Sequence, residues 1–196
     1  MRRRVIIVFA KAPRMGSVKT RLARGIGPAS ALAFYRQCLE RTVRQADQIH
    51  GTVTEIWTAP DNAVGGRYFR SRHAPMPQGR GDIGARMHRA LNHYPDADRI
   101  LIGGDIPGVT PAILAQAFDQ LRQNDAVYGP AEDGGFWLVG LRRGYQPRRL
   151  FQHVGWSRPD TLDRAVASHG PHAAIAFCKT LNDIDDLDDY RRLTSP

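Results

Sequence analysis

The sequence predicts a three-layer α/β domain built on a mostly parallel sheet, and three observations carry that expectation. Val5-Ile6-Ile7-Val8-Phe9-Ala10 is a continuous apolar, largely β-branched run, as in a strand buried on both faces. Strand-like and helix-like segments alternate from there to the C-terminus, the order expected when helices cover both sides of a parallel sheet. A chain of 196 residues can bury one core without disulfides or a structural metal. No repeat, low-complexity tract or linker divides it, so residues 1–196 are expected to form one domain.

The elements follow in order. A loop containing Pro13 and Gly16 leads to Leu32, Tyr35, Leu39, Val43, Ala46 and Ile49, which recur at helical spacing. Val53 to Thr58 reads as a second strand. Ile83, Met87, Ala90, Leu91 and Tyr94 mark a helix, and Ile100 to Ile102 a short strand ending in Gly103-Gly104-Asp105. Thr110 caps and Pro111 opens a helix through Leu114, Phe118 and Leu121. Strands at Ala126 to Tyr128 and Phe136 to Leu141 come next. A helix near Pro159 to Ser168, a strand at Ala173 to Phe177 and a short acidic helix close the chain. The first strand should lie inside the sheet. Ligands of such sheets bind beyond the carboxyl ends of the strands, where three loops are expected: Lys11 to Arg21, Gly103 to Thr110, and Gly129 to Gly135.

The formal charge of +9 is unevenly placed. The first fifty residues hold 11 Lys/Arg against Glu40 and Asp47, and the remainder is balanced. Such a bias suits a phosphate-rich ligand, an anionic surface or nucleic acid, but above all a solvated face with an arginine-rich helix carrying Arg36, Arg41 and Arg44. Nucleic-acid binding is disfavoured, because only Phe9, Phe34 and Tyr35 accompany those cations. No run approaches the ~20 apolar residues of a membrane span. Cys38 and Cys178 read as small core residues, and a cytoplasmic location is expected.

Three segments could carry chemistry. Lys11, Arg14, Lys19 and Arg21 crowd one loop with Pro13 and Gly16, directly after Ala10. Backbone N–H groups and cations in such a loop can cradle phosphates, although an ordinary exposed basic loop has the same composition. Asp105, just past an apolar strand, is placed as a metal-binding carboxylate would be, or as a turn residue. In Asn182-Asp183-Ile184-Asp185-Asp186-Leu187-Asp188-Asp189, the later acids suit helix capping, while Asp183 or Asp185 could reach a cation held by Asp105.

Taken together, the blocks FAKAPRMGSVKTRLA, QGRGDIGARM, LIGGDIPGVTP, GPAEDGGFWLVGL, VGWSRP and LNDIDDLDD resemble, in this order and over nearly the whole chain, the bacterial glycosyltransferase-A-like family. More distantly the chain is similar to molybdopterin-type and phospholactate-type nucleotidyltransferases. The resemblance implies a Rossmann-like nucleotide-diphospho-sugar transferase (GT-A) fold and a transferase using Mg²⁺ or Mn²⁺. The donor would be a nucleotide or nucleotide-sugar, the acceptor an unidentified small molecule. It maps phosphate contact and charge stabilisation to Lys19 and Arg21, and the metal to Asp105 and best to Asp185. It maps the nucleotide to Ala10, Lys11, Pro13 and Gly16 and to Gln78, Gly81 and Asp82. Asp133, Gly134, Trp156 and Ser157 fall in blocks particular to the family and are assigned to the acceptor.

Two departures bear on the reaction. Many metal-dependent glycosyltransferases of this fold carry Asp-x-Asp, whereas Pro107 follows Asp105-Ile106 here. The first loop also lacks the G-G-x-S-x-R-like form usual in the nucleotidyltransferases. Lys19, Arg21 and a lone Asp105 lean the reading slightly toward nucleotidyl transfer from a nucleoside triphosphate, with glycosyl transfer as the alternative. On this reading the loop is exposed and mobile until a ligand orders it. Lys19→Ala and Arg21→Ala would then each shift stability by less than about 0.5 kcal/mol.

Overall fold

Residues Arg4–Lys11 form strand β1, in which Val5, Ile6, Ile7 and Val8 are fully buried. Pleating sends Ile6 and Val8 to one face of the sheet and Val5 and Ile7 to the other, so both faces need cover. The computed structural model describes residues 3–66, 68, 69 and 73–194, and within them that cover is helical. Helices α2 (Pro28–Asp47) and α4 (Pro111–Gln120) pack Leu32, Tyr35, Leu39, Leu114 and Phe118 on the Ile6 side. On the other side α3 (Ile83–Asn92) and α5 (Thr161–Ala167) pack Met87, Leu91 and Ala165 against Val5 and Ile7.

The remaining strands are β2 (Thr52–Ala59), β3 (Met76–Pro77), β4 (Asp98–Gly103), β5 (Ala126–Pro130), β6 (Phe136–Leu141) and β7 (Ile175–Phe177). They form one sheet in the order β3-β2-β1-β4-β6-β5-β7. All neighbours are parallel except β6, which runs antiparallel to both β4 and β5. The mostly parallel three-layer arrangement and the interior position of β1 match the sequence-based expectation.

Two further helices shape the ligand end. Thr20–Ile26 is α1, within a stretch that shows no apolar periodicity and buries only Leu22. Leu187–Thr194 is α6. Leu22, Ala31 and Ile184 form a third apolar cluster with Phe34 and Tyr190 against it, which ties α6 to α1 and α2. The two-residue β3 is likewise too short to leave a pattern in the sequence.

The largest fully buried side chain belongs to Arg99, inside β4. Its Nε donates to Leu91 O at 3.0 Å, Nη1 to Arg142 O at 2.7 Å and to Ala97 O at 3.3 Å, and Nη2 to Tyr145 O at 2.7 Å. The guanidinium thereby takes up carbonyls at the end of α3 and in the loop after β6. Burial lowers its pKa to about 10, with Asp98 and Asp96 opposing, so it stays charged at neutral pH. On the same face, Tyr128 and Tyr145 place their hydroxyls on Nε2 and Nδ1 of His169, at 2.8 and 3.1 Å. A neutral imidazole can donate to one and accept from the other, and burial accordingly pushes His169 down to about 4.

Two outcomes follow. Arg99→Met should cost about 3 kcal/mol or more, because it strands buried carbonyl oxygens, and urea unfolding will measure it. His169 is protonated in the unfolded chain below about pH 6.5 but in the folded chain only near 4. Its contribution is complete above 6.5 and is lost as pH falls toward 4. His169→Phe should therefore flatten the pH dependence of Tm across that window.

Candidate functional site

The site begins with an amine taken out of water. Lys19 precedes α1 in a left-handed conformation (φ 47°, ψ 44°), and its side chain is only 4% exposed. Nζ lies 2.6 Å from Asp105 Oδ2, 3.0 Å from Asp183 Oδ2 and 2.9 Å from Asp185 Oδ1. Asp105 stands two residues beyond β4. Asp183 and Asp185 come from the segment before α6, whose start is held by a reciprocal cap. Asp186 Oδ1 accepts the Asp189 N–H at 3.1 Å, and Asp189 Oδ2 accepts the Asp186 N–H at 3.3 Å. Those later acids are helix caps, as their position suggested.

The charges are unequal. Three carboxylates face one ammonium, with Arg21 outside on Asp186 at 2.9 Å and Asp185 at 3.7 Å. Burial would lower the Lys19 pKa, but the three acids outweigh it and raise it. Burial and the proximity of Asp185 and Asp105 push Asp183 up to about 6 against the pull of Lys19. Asp185 is also penalised by burial, yet Lys19 and a hydrogen bond with Asp183 hold it below the usual carboxylate range.

Hard carboxylate oxygens converging on one point suit Mg²⁺ or Mn²⁺, so Asp105 with Asp183 or Asp185 are the residues that could hold such an ion. Among the described residues no ready cage of three His, Cys, Asp or Glu exists, and the point of convergence is taken by Lys19 Nζ.

The buried Lys19 runs against the expectation of an exposed cation whose replacement would cost less than about 0.5 kcal/mol, whereas Arg21 is 62% exposed. The loop is also pinned. Tyr35 Oη accepts the Lys11 N–H and donates to Lys11 O, each at 2.9 Å, and Arg36 Nη2 donates to Pro13 O at 3.4 Å. Ser17 Oγ donates to Arg14 O at 2.8 Å. Gly16 turns at φ 76° in open space.

A trough runs across the carboxyl ends of the strands through this centre, in three adjoining hollows. The central one, about 290 Å³, is lined by Ala10, Lys19, Asp105, Asp183 and Asp185. It shares Lys11 and Arg86 with a second hollow of about 410 Å³, bounded by Pro60, Asp61, Gly79, Arg80 and Gly81. On the other side it shares Phe9, Ile83, Asp105 and Asp183 with a cleft of about 410 Å³ that contains Asp133, Trp156 and Ser157.

Two residues assigned to the nucleotide serve the framework instead. Gln78 is buried, its Nε2 donating to Ala10 O (3.0 Å) and Trp57 O (2.8 Å) and its Oε1 accepting from Arg86 Nη1 (2.8 Å). No amide hydrogen is left for a base. Asp82 caps α3 by accepting the Ala85 N–H at 2.8 Å. Arg86 and Arg89 escaped notice in the sequence. Arg89 donates to Gln78 O at 2.7 Å and Arg80 O at 2.9 Å, shaping the Gly79–Gly81 turn. Their i,i+3 spacing on the helix after a glycine-rich loop was the available signal.

On the far side Gly84 lets α3 approach Trp156, where a Cβ would lie 2.4 Å from Cζ2. Gly134, at φ 83°, passes Pro159 so closely that a Cβ would be 2.0 Å from its carbonyl oxygen. Asp133 and Ser157 lie in the same cleft.

Comparison with known proteins agrees with this architecture. A candidate nucleotide-diphospho-sugar transferase from Desulfovibrio desulfuricans G20 is 25% identical, matches 98% of this chain and 87% of its own, and superposes with a TM-score of 0.85. Rv0371c from Mycobacterium tuberculosis H37Rv, in complex with manganese, is 21% identical over 96% and 97% of the two chains, with a TM-score of 0.53. CMP:2-keto-3-deoxy-manno-octonic acid synthetase complexed with CTP is 12% identical over 97% and 96%, with a TM-score of 0.59. No match is found among curated proteins. The fold is thus that of nucleotide-diphospho-sugar transferases and nucleotidyltransferases. Because residues 42–158, more than half of the sequence, match its profile, the chain belongs to the family described as an uncharacterized protein conserved in bacteria (DUF2064).

Proposed function

We propose that the protein is a divalent-metal-dependent transferase acting on a nucleotide-activated donor, and that nucleotidyl transfer from a nucleoside triphosphate fits its site best. The observation that carries this reading is the meeting of Lys19, from the loop after β1, with Asp105, Asp183 and Asp185 inside one trough. The hollow between Pro60 and Gly81 suits the base and ribose. The phosphates would then run past Lys11, Arg80 and Arg86 toward Lys19. Backbone N–H groups of the Gly16 loop, and Arg21 at its edge, add to that positive lip. In the transfer, an acceptor oxygen bonds the α-phosphorus, the bond from that phosphorus to the β-phosphate oxygen breaks, and pyrophosphate leaves with the negative charge. Preorganised cations stabilise that charge without reorganising. A Mg²⁺ or Mn²⁺ held by Asp105 with Asp183 or Asp185 would neutralise phosphate charge when bound. The acceptor would approach from the Asp133, Gly134, Trp156 and Ser157 side, and its proton would pass to Asp133 or water.

Glycosyl transfer from a nucleotide-diphospho-sugar is the second reading, favoured by the likeness to the Desulfovibrio protein. There the bond broken is the one between the anomeric carbon and the phosphate. The lone Asp105 before Ile106-Pro107 is the residue-level observation against it.

A melting-temperature panel of UTP, GTP, CTP and UDP-glucose, with and without Mg²⁺ or Mn²⁺, tests the donor. A triphosphate should stabilise the protein in a metal-dependent way, by about 2.7 kcal/mol at a hundredfold excess over Kd. Larger stabilisation by the nucleotide-sugar selects the second reading, and no response to any nucleotide removes both. Asp105→Asn should erase the metal-dependent part, and should lower turnover about 100- to 1000-fold once the acceptor is known. Lys19→Ala should destabilise the metal-free protein by about 2 kcal/mol. This is less than for a fully buried pair, because the carboxylates keep 25%, 40% and 47% exposure. Added Mn²⁺ should restore part of the loss; unchanged stability would deny Lys19 its role as counterion.

A further inference from the structure

The cleft beyond Asp105 has the volume of a small-molecule site. Phe9, Met87, Leu101 and Phe136 make its apolar lining, and Trp156 closes one wall. Its polar side chains are Asp105 and Asp183, shared with the Lys19 centre, buried Thr161, and Asp133, Ser157 and Arg158. Asp133 spends Oδ1 on the Gly135 N–H at 2.9 Å, and its Oδ2 has no partner among the described residues. Ser157 sits on left-handed backbone at φ 57°, and its hydroxyl likewise bonds to none of them. Arg158, the one Lys or Arg among the lining residues, is 63% exposed and lies 3.6 Å from Asp160.

This wall is built in advance. The Leu162 N–H donates to Gly134 O at 2.9 Å, and buried Thr161 accepts the Arg158 N–H at 3.1 Å while donating to Gly155 O at 2.8 Å. The loop carrying Asp133 and the loop carrying Trp156 and Ser157 therefore form one rigid lip, so a ligand need not order it.

We propose that this cleft binds the acceptor and selects an uncharged, hydroxylated ring compound, a monosaccharide or cyclic polyol. The word acceptor rests on the transferase reading; the ligand class rests on the cleft alone. Hydroxyl groups donate to Asp133 Oδ2 and exchange hydrogen bonds with Ser157. The C–H face of a ring lies against Trp156 and Phe136. A phosphate or carboxylate on the same ring would meet the Asp133 charge with no buried cation to offset it, and desolvating it there is unfavourable. An amine would satisfy Asp133 but leave the ring hydroxyls as the weaker contribution.

The test is a tryptophan-fluorescence titration of the full chain without nucleotide. The probes are neutral monosaccharides and cyclic polyols, the same sugars as phosphates, and amino sugars. Neutral members should bind, with a signal that shrinks in Trp156→Phe. Asp133→Ala should weaken them about tenfold or more, and Arg158→Gln by less than about twofold. Asp133→Asn serves if the alanine variant fails to fold by circular dichroism. Tighter binding of the phosphorylated or amino members overturns the inference. So does equal binding of neutral members to the Asp133 variants, or no binding by any probe. With nucleotide absent, a protein that binds neutral rings but no nucleoside triphosphate keeps this inference and loses the transferase reading.

Discussion

The ammonium of Lys19 holds together three pieces of chain that are remote in sequence: the start of α1, the turn after β4, and the segment before α6. Removing a lysine from water is costly unless opposite charge meets it at hydrogen-bonding distance, and here three carboxylates do. Their surplus charge is the main electrostatic fact of the trough. One ammonium cannot neutralise three acids, and the proton affinity of Asp183 rises as a result. A site with that imbalance favours a further positive charge.

The same constraint changes the meaning of the basic N-terminus. A charge of +9 concentrated in fifty residues looks like an open patch for nucleic acid or an anionic surface. In the folded protein Arg3 pairs with Asp96 at 3.2 Å, Arg4 lies over Phe118 at 5.3 Å, and Arg14 lies over Tyr68 at 4.6 Å. Lys19 faces inward. Lys11 lines the trough beside Arg80 and Arg86, which come from outside the first fifty residues. No helix among the described residues is long and apolar enough to cross a membrane.

Rigidity is distributed in a way that suits this division of labour. On one side of Lys19, Gln78 clamps β1, β2 and α3 through backbone carbonyls and Arg86. On the other, the close passages of Gly84 past Trp156 and of Gly134 past Pro159 lock the far wall. Neither glycine could gain a side chain without displacing its neighbour. The two halves of the trough are thus positioned independently and meet at the carboxylate cluster.

Much of the architecture was legible before folding was considered. Val5 to Val8, Ile100 to Ile102 and Phe136 to Leu141 are apolar because these interior strands are covered on both faces, and a composition forced by burial is visible in sequence. The amphipathic periods of α2 and α3 were equally plain. The approach of Asp105 and a late aspartate to one point was expected as well, because ligand ends of parallel strands lie together, but the burial of Lys19 among them was not. Local sequence carried no sign of α1, which buries one leucine, nor of the uses of Arg99 and Gln78. A polar side chain becomes a buried clamp only when carbonyls or carboxylates from distant segments arrive within hydrogen-bonding reach. Periodicity records which face of an element is dry, and the sequence therefore determined the layers and the residues at the ligand edge. Which of those residues hold the framework and which remain for a ligand depends on long-range pairing, and only the tertiary structure decided it.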